Sequence, residues 1–217
     1  MYKDFPPEAL SEEGIERTIA DHVAAAKMAV RAGFDGVELH GGNGYLLEQF
    51  LSSNVNKRTD RYGGSSEKRC AFVLELLEEV GKAIGLENVS LRLSPWGVYN
   101  DMSDEARWDT WSFLCREIKS RFGVISYVSF VEPKMEEREQ FSESWGKERD
   151  VSLKAFKEIL QGIPVISAGG WDAETCWGVV EDGKVDGCVF ARWFVSNPDL
   201  VERLVLPFRR DQECGSN

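Results

Sequence analysis

Residues 33–45, GFDGVELHGGNGY, contain the pattern on which the predicted fold depends. The segment 35–40 is short and β-rich, and we expect it to form a strand. The preceding residues 11–32 place apolar side chains at intervals of three and four, which predicts an amphipathic helix. A second helix is predicted to begin near Gly44 or Tyr45. The predicted strand is therefore flanked by a helix on each side.

The same alternation continues along the rest of the chain. Four further strands are predicted at 89–94, 124–132, 164–169 and 186–191. Helices are predicted at 67–84, 103–121, 151–161, 173–181 and from Asn197 to near Pro207, and a loop is predicted at 133–150. Short apolar strands that alternate with helices are typical of an α/β fold with a parallel sheet. A closed α/β barrel needs eight strands, so five strands leave an open doubly wound sheet and a partial barrel as alternatives.

Composition limits the classes of function. The chain has 217 residues and a formal net charge of −11. We expect one domain over 1–217, with a lead-in at 1–10 and a loose tail at 209–217. The acidic balance does not suit a phosphate backbone, so no nucleic-acid partner is expected. No apolar run approaches the ~20 residues of a membrane span, and the N-terminus has no signal-peptide pattern, so no membrane association is expected.

Cysteine and histidine usage adds two expectations. The five cysteines are scattered and include no C-x-x-C pair. This usage predicts reduced thiols and a cytoplasmic protein. Only His22 and His40 are present, and no Cys/His cluster has the spacing of zinc ligands, so no metal site is expected.

Polar groups and glycines follow the first predicted strand. The active groups of parallel α/β proteins lie at the carboxyl ends of the strands. At this end the chain supplies the imidazole of His40, the amide of Asn43 and the phenol of Tyr45, with glycines between them. Glycines allow a ligand to approach the backbone closely. The three side chains are candidates for ligand binding and acid–base chemistry, and the alternative for His40 is a purely structural histidine.

The other predicted strands supply cations and glycines. Arg92 lies in an otherwise apolar predicted strand. A buried arginine is costly without a partner, so we expect it to bind an anion or carbonyl oxygens. The alternative is an ion pair with a carboxylate such as Glu38. The fourth strand ends at Gly169–Gly170 and the fifth at Ala191–Arg192. Glycine and arginine before helix N-termini favour a phosphate site. The alternatives are a simple Gly-Gly turn and a solvated arginine.

One long segment and four shorter ones match a known pattern. The long segment, 33–80, reads GFDGVELHGGNGYLLEQFLSSNVNKRTDRYGGSSEKRCAFVLELLEEV. The shorter ones read LRLSPWGVYNDM, YVSFVEP, ISAGGWDAE and VDGCVFARWFVSNPDLVERL. Together they resemble the Old Yellow Enzyme family of FMN-dependent ene-reductases, in the family's order, over about residues 10–204.

The resemblance implies a fold and a reaction. The family fold is a TIM barrel that holds FMN over its top face, and here it would be a partial barrel with five parallel strands. His40 and Asn43 are similar to the pair that hydrogen-bonds the carbonyl or nitro oxygen of an electron-poor alkene. Tyr45 is similar to the acid that protonates the α-carbon while reduced FMN gives hydride to the β-carbon. The implied reductant is NAD(P)H.

The same resemblance implies cofactor-binding residues. Arg92 is similar to the cation beside the N1–C2=O edge of the flavin. Four residues are similar to the FMN-phosphate clamp: Gly169, Gly170, Ala191 and Arg192. Ala191 stands where the family usually has glycine, which keeps the backbone N–H but adds a methyl group near the phosphate. Gly42 stands where the family commonly has alanine.

The family's first three strands have no counterpart in this sequence. Five strands cannot close an eight-stranded barrel, and the two open sheet edges would invite pairing. Three explanations are left open. The chain is a fragment, or it is completed as a homo-oligomer or by a partner chain, or it is a half-barrel with altered chemistry.

Three functions are compatible with these residues. The leading expectation is an FMN-dependent, ene-reductase-like oxidoreductase whose substrate is a small molecule with an activated alkene. The second is a flavin-independent acid–base enzyme, an isomerase or cyclase, that acts on an enone-like substrate through the same three side chains. The third is a non-catalytic partial-barrel pseudoenzyme that binds a ligand or a partner.

Overall fold

Five parallel strands form one sheet in the structure, a computed structural model that describes residues 8–133 and 152–205. The strands are β1 (Val37–Gly41), β2 (Val89–Leu93), β3 (Val128–Val131), β4 (Val165–Ala168) and β5 (Gly187–Val189). They lie in the order β1-β2-β3-β4-β5, and each neighbouring pair is parallel. The predicted α/β fold with five parallel strands is confirmed.

The strand order decides between the two architectures that the sequence leaves open. A doubly wound sheet reverses its winding at a switch point, so its strand order differs from the chain order. Here every strand pairs with the next strand along the chain, as in a (β/α) barrel. The described residues therefore form a partial barrel, with β1 and β5 at its two ends.

Helices connect the strands. They are α1 (Glu12–Arg31), α2 (Leu46–Leu51), α3 (Ser66–Ile84), α4 (Arg107–Arg121), α5 (Lys154–Ile159), α6 (Cys176–Glu181) and α7 (Arg192–Ser196), and residues 200–205 are also helical. α1 begins after Ser11, whose hydroxyl oxygen accepts the N–H of Gly14 at 3.1 Å. Among the described helices, none combines the length and the apolar character that crossing a membrane requires.

The two faces of the sheet differ in chemistry because alternate strand residues point to opposite faces. One face packs into the hydrophobic core and carries apolar side chains from four strands: Leu39, Leu91, Leu93, Val128, Phe130 and Val165. The other face carries polar residues that the strand register aligns across three strands: Glu38 and His40 of β1, Ser90 and Arg92 of β2, and Ser129 of β3. We call this second surface the polar face.

A buried arginine holds the loop between α2 and α3. Arg69 is only 3% exposed, and it donates hydrogen bonds to the carbonyl oxygens of Leu51 at 2.7 Å and Gly64 at 2.5 Å. Its guanidinium also donates to the hydroxyl of Thr110 in α4. A buried guanidinium needs such partners because its desolvation is costly. The loop that follows α2 is thereby tied to α3 and α4.

The predicted strands at 124–132, 164–169 and 186–191 are longer than the observed β3, β4 and β5. The largest difference is at β3. The N–H of Ile125 bonds the carbonyl oxygen of Phe122 at 3.0 Å, so the first part of the predicted strand is a turn that follows α4. The prediction is wrong there because buried apolar residues also occur in turns that close a helix.

Two helices begin later than predicted. The helices predicted at 103–121 and 173–181 are α4 and α6, which begin at Arg107 and Cys176. In both cases an aspartate before the helix accepts backbone N–H groups and forms a turn: Asp104 Oδ1 bonds Ala106, and Asp172 Oδ1 bonds Glu174 and Thr175. Such local turns compete with helical hydrogen bonding.

The C-terminal helices also differ from the prediction. The sequence pattern does not predict α7, because a helix of five residues is too short to show a helical repeat of apolar side chains. The helix predicted from Asn197 to near Pro207 is observed at 200–205, and the helix predicted at 151–161 is α5. The predictions for 1–7, 134–151 and 209–217 lie outside the described residues.

Gly36 allows β1 and β2 to start side by side. A Cβ at Gly36 would overlap the carbonyl oxygen of Asn88, which immediately precedes β2. The obstacle is backbone and cannot rotate away. We expect Gly36→Ala to lower the free energy of unfolding by about 2 kcal/mol or more, measured by urea denaturation.

The matched control is Gly178→Ala in α6. Nothing lies within 4 Å of a Cβ at Gly178. Alanine favours a helix over glycine, so this variant is expected to raise the free energy of unfolding by about 0.5–1 kcal/mol. Equal stability of the two variants would contradict the close approach at Gly36.

Candidate active site

His40, Asn43 and Tyr45 lie at the carboxyl end of β1. His40 is in the strand, Asn43 is in the turn that follows it, and Tyr45 immediately precedes α2. The ring centroids of His40 and Tyr45 are 5.7 Å apart, and Tyr45 is 52% exposed. The structure therefore places the three predicted catalytic residues at one strand end, where a ligand can reach the phenol and the imidazole.

The turn after β1 has an unusual backbone. Asn43 and Gly44 have φ values of +57° and +72°, in the left-handed region that asparagine and glycine tolerate best. A Cβ on Gly44 would lie 2.6 Å from the carbonyl oxygen of Tyr99, in the loop after β2. The side-chain amide of Asn100 donates to the carbonyl oxygen of Asn43 at 2.9 Å. The loops after β1 and β2 therefore hold each other.

Two buried residues that the sequence analysis missed lie beneath this turn. Glu48 Oε2 accepts the N–H of Gly44 at 2.5 Å and the hydroxyl of Ser94 at 2.9 Å. Ser94 Oγ in turn accepts the N–H of Asn43 at 2.8 Å. Burial raises the pKa of Glu48 to about 7, against the lowering effect of the Gly44 and Ser94 hydrogen bonds. An acidic residue one turn after a glycine-rich loop is the sequence signal that could have revealed Glu48.

Arg92 lies beside His40 on the polar face, because β1 and β2 pair these two residues. Arg92 Nε is buried without a hydrogen-bond partner among the described residues. The same holds for the hydroxyl oxygen of Ser129, the β3 residue that pairs with Arg92 of β2. Within the described part of the chain, no ion pair joins Arg92 to Glu38. The structure therefore does not support the alternative in which Arg92 serves to neutralise Glu38.

The surroundings of His40 keep its imidazole neutral near pH 7. Partial burial lowers the pKa of His40 below its ordinary value, the positive charge of Arg92 lowers it further, and Glu38 opposes both effects. A neutral imidazole carries one N–H donor and one acceptor nitrogen. His40 can therefore donate a hydrogen bond to a substrate oxygen without carrying a charge.

Tyr127 extends the polar face just before β3 and is a third residue that the sequence analysis missed. Its hydroxyl interacts with Ser90 and Glu38, and burial raises the pKa of this phenol. A tyrosine in a β-rich segment is ordinary, so the sequence offers no signal for its place beside Glu38.

A second group of predicted residues lies at the carboxyl ends of β4 and β5, which are parallel neighbours. Gly169 and Gly170 have φ values of +145° and +80°, and nothing lies within 4 Å of a Cβ at Gly170. Ala191 and Arg192 are exposed at the start of α7. This end of the sheet therefore offers accessible backbone at Gly170 and one cation, which suit an anionic group.

The structure thus divides the predicted site residues into two groups, both at the carboxyl ends of the strands. The first group lies at β1 and β2, the second lies at β4 and β5, and β3 lies between them. Adjacent strands are ~4.8 Å apart, so β2 and β4 are separated by about 10 Å. A ligand that contacts both groups must be elongated and must cross the end of β3.

Comparison with known proteins identifies the family. A family model described as the NADH:flavin oxidoreductase / NADH oxidase family matches residues 2–207. The chain belongs to this family. The resemblance to the Old Yellow Enzymes, read from the segments around His40 and Arg92, is thereby confirmed.

Individual relatives agree with the family match. The flavin oxidoreductase hxnT of Emericella nidulans is 40% identical over 94% of this chain and 55% of its own length. A probable flavin mononucleotide-dependent alkene reductase of Leishmania infantum is 37% identical over 92% of this chain and 51% of its own length. The structure of morphinone reductase in complex with tetrahydroNAD has a TM-score of 0.79 at 33% identity, over 93% of this chain and 51% of that chain. The chain therefore spans about half the length of the relatives it matches.

The residues present are compatible with a flavin mononucleotide. The buried Nε of Arg92 and hydroxyl of Ser129, which lack partners among the described residues, can bond the polar edge of a flavin ring. The open space at Gly170 and the exposed guanidinium of Arg192 can accept a phosphate. The two groups are separated across the carboxyl ends of the strands, and this separation matches a ligand with a polar ring at one end and a phosphate at the other.

Two charge-removing variants test the electrostatic environment of His40. Arg92→Gln removes the neighbouring positive charge, so we expect it to raise the pKa of His40. Glu38→Gln removes the opposing negative charge and is expected to lower that pKa. The two effects are measured by following the imidazole signals in an NMR pH titration, in which His22 provides the only other histidine signal. An unchanged or equal His40 pKa in the two variants would show that the imidazole does not sense these charges.

Proposed function

We propose that this chain forms part of the active site of an FMN-dependent ene-reductase that reduces an electron-poor alkene with NAD(P)H as reductant. The observation that carries the proposal is the pairing of His40 with Arg92 across β1 and β2, with the exposed phenol of Tyr45 beside His40. In this arrangement His40 would donate a hydrogen bond to a substrate, Tyr45 would donate a proton, and Arg92 would be the cation beside a flavin. The family match and the alkene reductase among the relatives support it.

His40 and Asn43 would bind the activating oxygen of the substrate. Both side chains offer N–H donors, and His40 is neutral near pH 7 because burial and Arg92 lower its pKa. Two N–H donors to a carbonyl or nitro oxygen stabilise the negative charge that develops there when the alkene accepts a hydride. The expected substrate class is therefore a small molecule in which a carbonyl or nitro group activates the double bond.

Tyr45 would donate the proton that completes the reduction. Its phenol is exposed and lies next to His40, so it can reach the α-carbon of a substrate whose oxygen is bound at His40. Bound FMN would supply the hydride that adds to the β-carbon. The proton at the α-carbon and the hydride at the β-carbon together account for the two hydrogens of a saturated product.

Five residues of this chain would hold the cofactor. Arg92 would bond the polar edge of the flavin ring, where its positive charge favours the reduced and more anionic form. Four residues would hold the phosphate: Gly169, Gly170, Ala191 and Arg192. Ala191 is exposed and immediately precedes α7.

Tyr45→Phe tests the proton-transfer role. With the FMN-loaded protein, an enone and NADPH, we expect the variant to slow alkene reduction by about 10²- to 10⁴-fold, because a positioned acid contributes that much. Flavin reduction by NADPH, measured separately by stopped-flow absorbance, is expected to stay within about twofold because it needs no proton from the phenol.

The matched control is Tyr99→Phe, which removes an exposed phenol from the loop after β2 and is expected to leave both rates unchanged. Enone turnover in the wild-type protein without flavin would instead support the isomerase or cyclase alternative. Unchanged alkene reduction in Tyr45→Phe would exclude Tyr45 as the proton donor.

A further inference from the structure

The turn that carries the substrate-binding amide depends on one buried carboxylate. Asn43 and Gly44 are consecutive left-handed residues, and such a turn needs compensating contacts. The N–H of Gly44 is bonded to Glu48 Oε2, and the N–H of Asn43 is bonded to Ser94 Oγ. The same Glu48 oxygen accepts the hydroxyl hydrogen of Ser94, so one oxygen atom links both bonds.

The carbonyl groups of the turn accept hydrogen bonds from two other side chains. Asn100 donates to the carbonyl oxygen of Asn43 at 2.9 Å, and Gln49 donates to the carbonyl oxygen of Gly44 at 2.9 Å. Both backbone N–H groups of Asn43 and Gly44 and both of their carbonyl groups therefore have partners. Only the two N–H bonds depend on Glu48 and Ser94, and both of these side chains are 1% exposed.

We propose that Glu48 and Ser94 are positioning residues that hold the Asn43–Gly44 turn and thereby aim Asn43 and Tyr45 at the substrate. This inference rests on the proposed function, because the aimed groups are the ones that would bind and protonate the alkene. Neither Glu48 nor Ser94 touches the substrate, since both are enclosed beneath the turn. Their effect is transmitted through the backbone.

The charge state of Glu48 provides a way to observe this linkage. Burial raises the pKa of Glu48 to about 7, and Asp104 raises it as well, while the Gly44 and Ser94 hydrogen bonds and Arg107 lower it. Asp104 lies in the segment between β2 and α4, and Arg107 is the first residue of α4. The carboxylate is a stronger hydrogen-bond acceptor than the carboxylic acid, so the turn should be held most firmly above pH 7.

The N–H of Gly44 reports this linkage directly. Asn43–Gly44 is the only Asn-Gly pair in the sequence. Labelling asparagine with ¹³C at the carbonyl and glycine with ¹⁵N therefore gives a single cross-peak in an HNCO spectrum, and this peak belongs to Gly44. We expect its amide proton shift to change between pH 6 and pH 8 with a midpoint near 7.

Three variants test whether Glu48 causes this transition. Glu48→Gln keeps the side-chain shape and removes the titration, so the Gly44 transition should disappear. His40→Gln removes the nearby imidazole and should leave the transition in place. Glu78→Gln removes an exposed carboxylate of α3, which pairs with Lys82, and should also leave it in place. A transition that survives in Glu48→Gln, or is absent from the wild-type protein, would overturn the proposal.

Kinetics then separate positioning from mere structural support. In the FMN-loaded protein, Glu48→Gln and Ser94→Ala are expected to lower kcat for alkene reduction by about tenfold, because misplaced groups lose catalysis rather than binding of the cofactor. FMN affinity and the circular dichroism spectrum should be unchanged, and Glu78→Gln should match the wild type. An unaltered kcat in both Glu48→Gln and Ser94→Ala would overturn the positioning role.

Failure of the proposed function can be recognised separately. If the wild-type protein shows no alkene reduction, the ene-reductase proposal fails. The Gly44 amide signal still decides whether Glu48 holds the turn, because it requires neither flavin nor substrate. Ser94→Ala is an independent test in the same pH titration. It is expected to shift the midpoint of the Gly44 amide transition to higher pH, because the Glu48 carboxylate loses one hydrogen-bond donor.

Discussion

The in-register pairing of β1 with β2 places His40 beside Arg92, and the chemistry of the candidate site depends on that contact. The pairing requires close approach of the two strands. A Cβ at Gly41 would lie 2.9 Å from the carbonyl oxygen of Arg92, and Gly36 meets Asn88 in the same way at the start of the strands. With this register, the guanidinium helps to keep the imidazole neutral. A shift by one residue would move His40 to the core face.

The polar face is the side of the sheet that lies opposite the hydrophobic core. In a closed barrel this face would be the interior, whereas the described five strands leave its two ends open. Large apolar side chains are exposed near both ends of the sheet, at Phe34 before β1 and at Trp193 after β5. The candidate site residues still share the carboxyl ends of the strands of one sheet. The site chemistry is therefore set by side chains whose relative positions the parallel register fixes.

The sequence predicts candidate site residues that the structure brings to neighbouring strand ends, whereas it misplaces the ends of several strands and helices. His40, Asn43, Tyr45 and Arg92 are recognisable because polar residues at the carboxyl ends of apolar strands stand out, and the resemblance assigns them roles. Strand order was not accessible from spacing, because alternation of strands and helices is the same in a barrel and in a doubly wound sheet. Glu48 was missed because its hydrogen bonds reach Ser94, 46 residues away along the chain, and the backbone of Gly44, 4 residues away.

The most direct test of this account compares the binding of FMN and riboflavin to the protein by visible absorbance and equilibrium dialysis. The two ligands share the flavin ring and differ in the phosphate. If Arg192 and its neighbours hold the phosphate while Arg92 holds the ring, FMN should bind at least about tenfold more tightly than riboflavin. Equal affinities, or no binding of either ligand, would contradict the assignment of these strand ends as a flavin mononucleotide site.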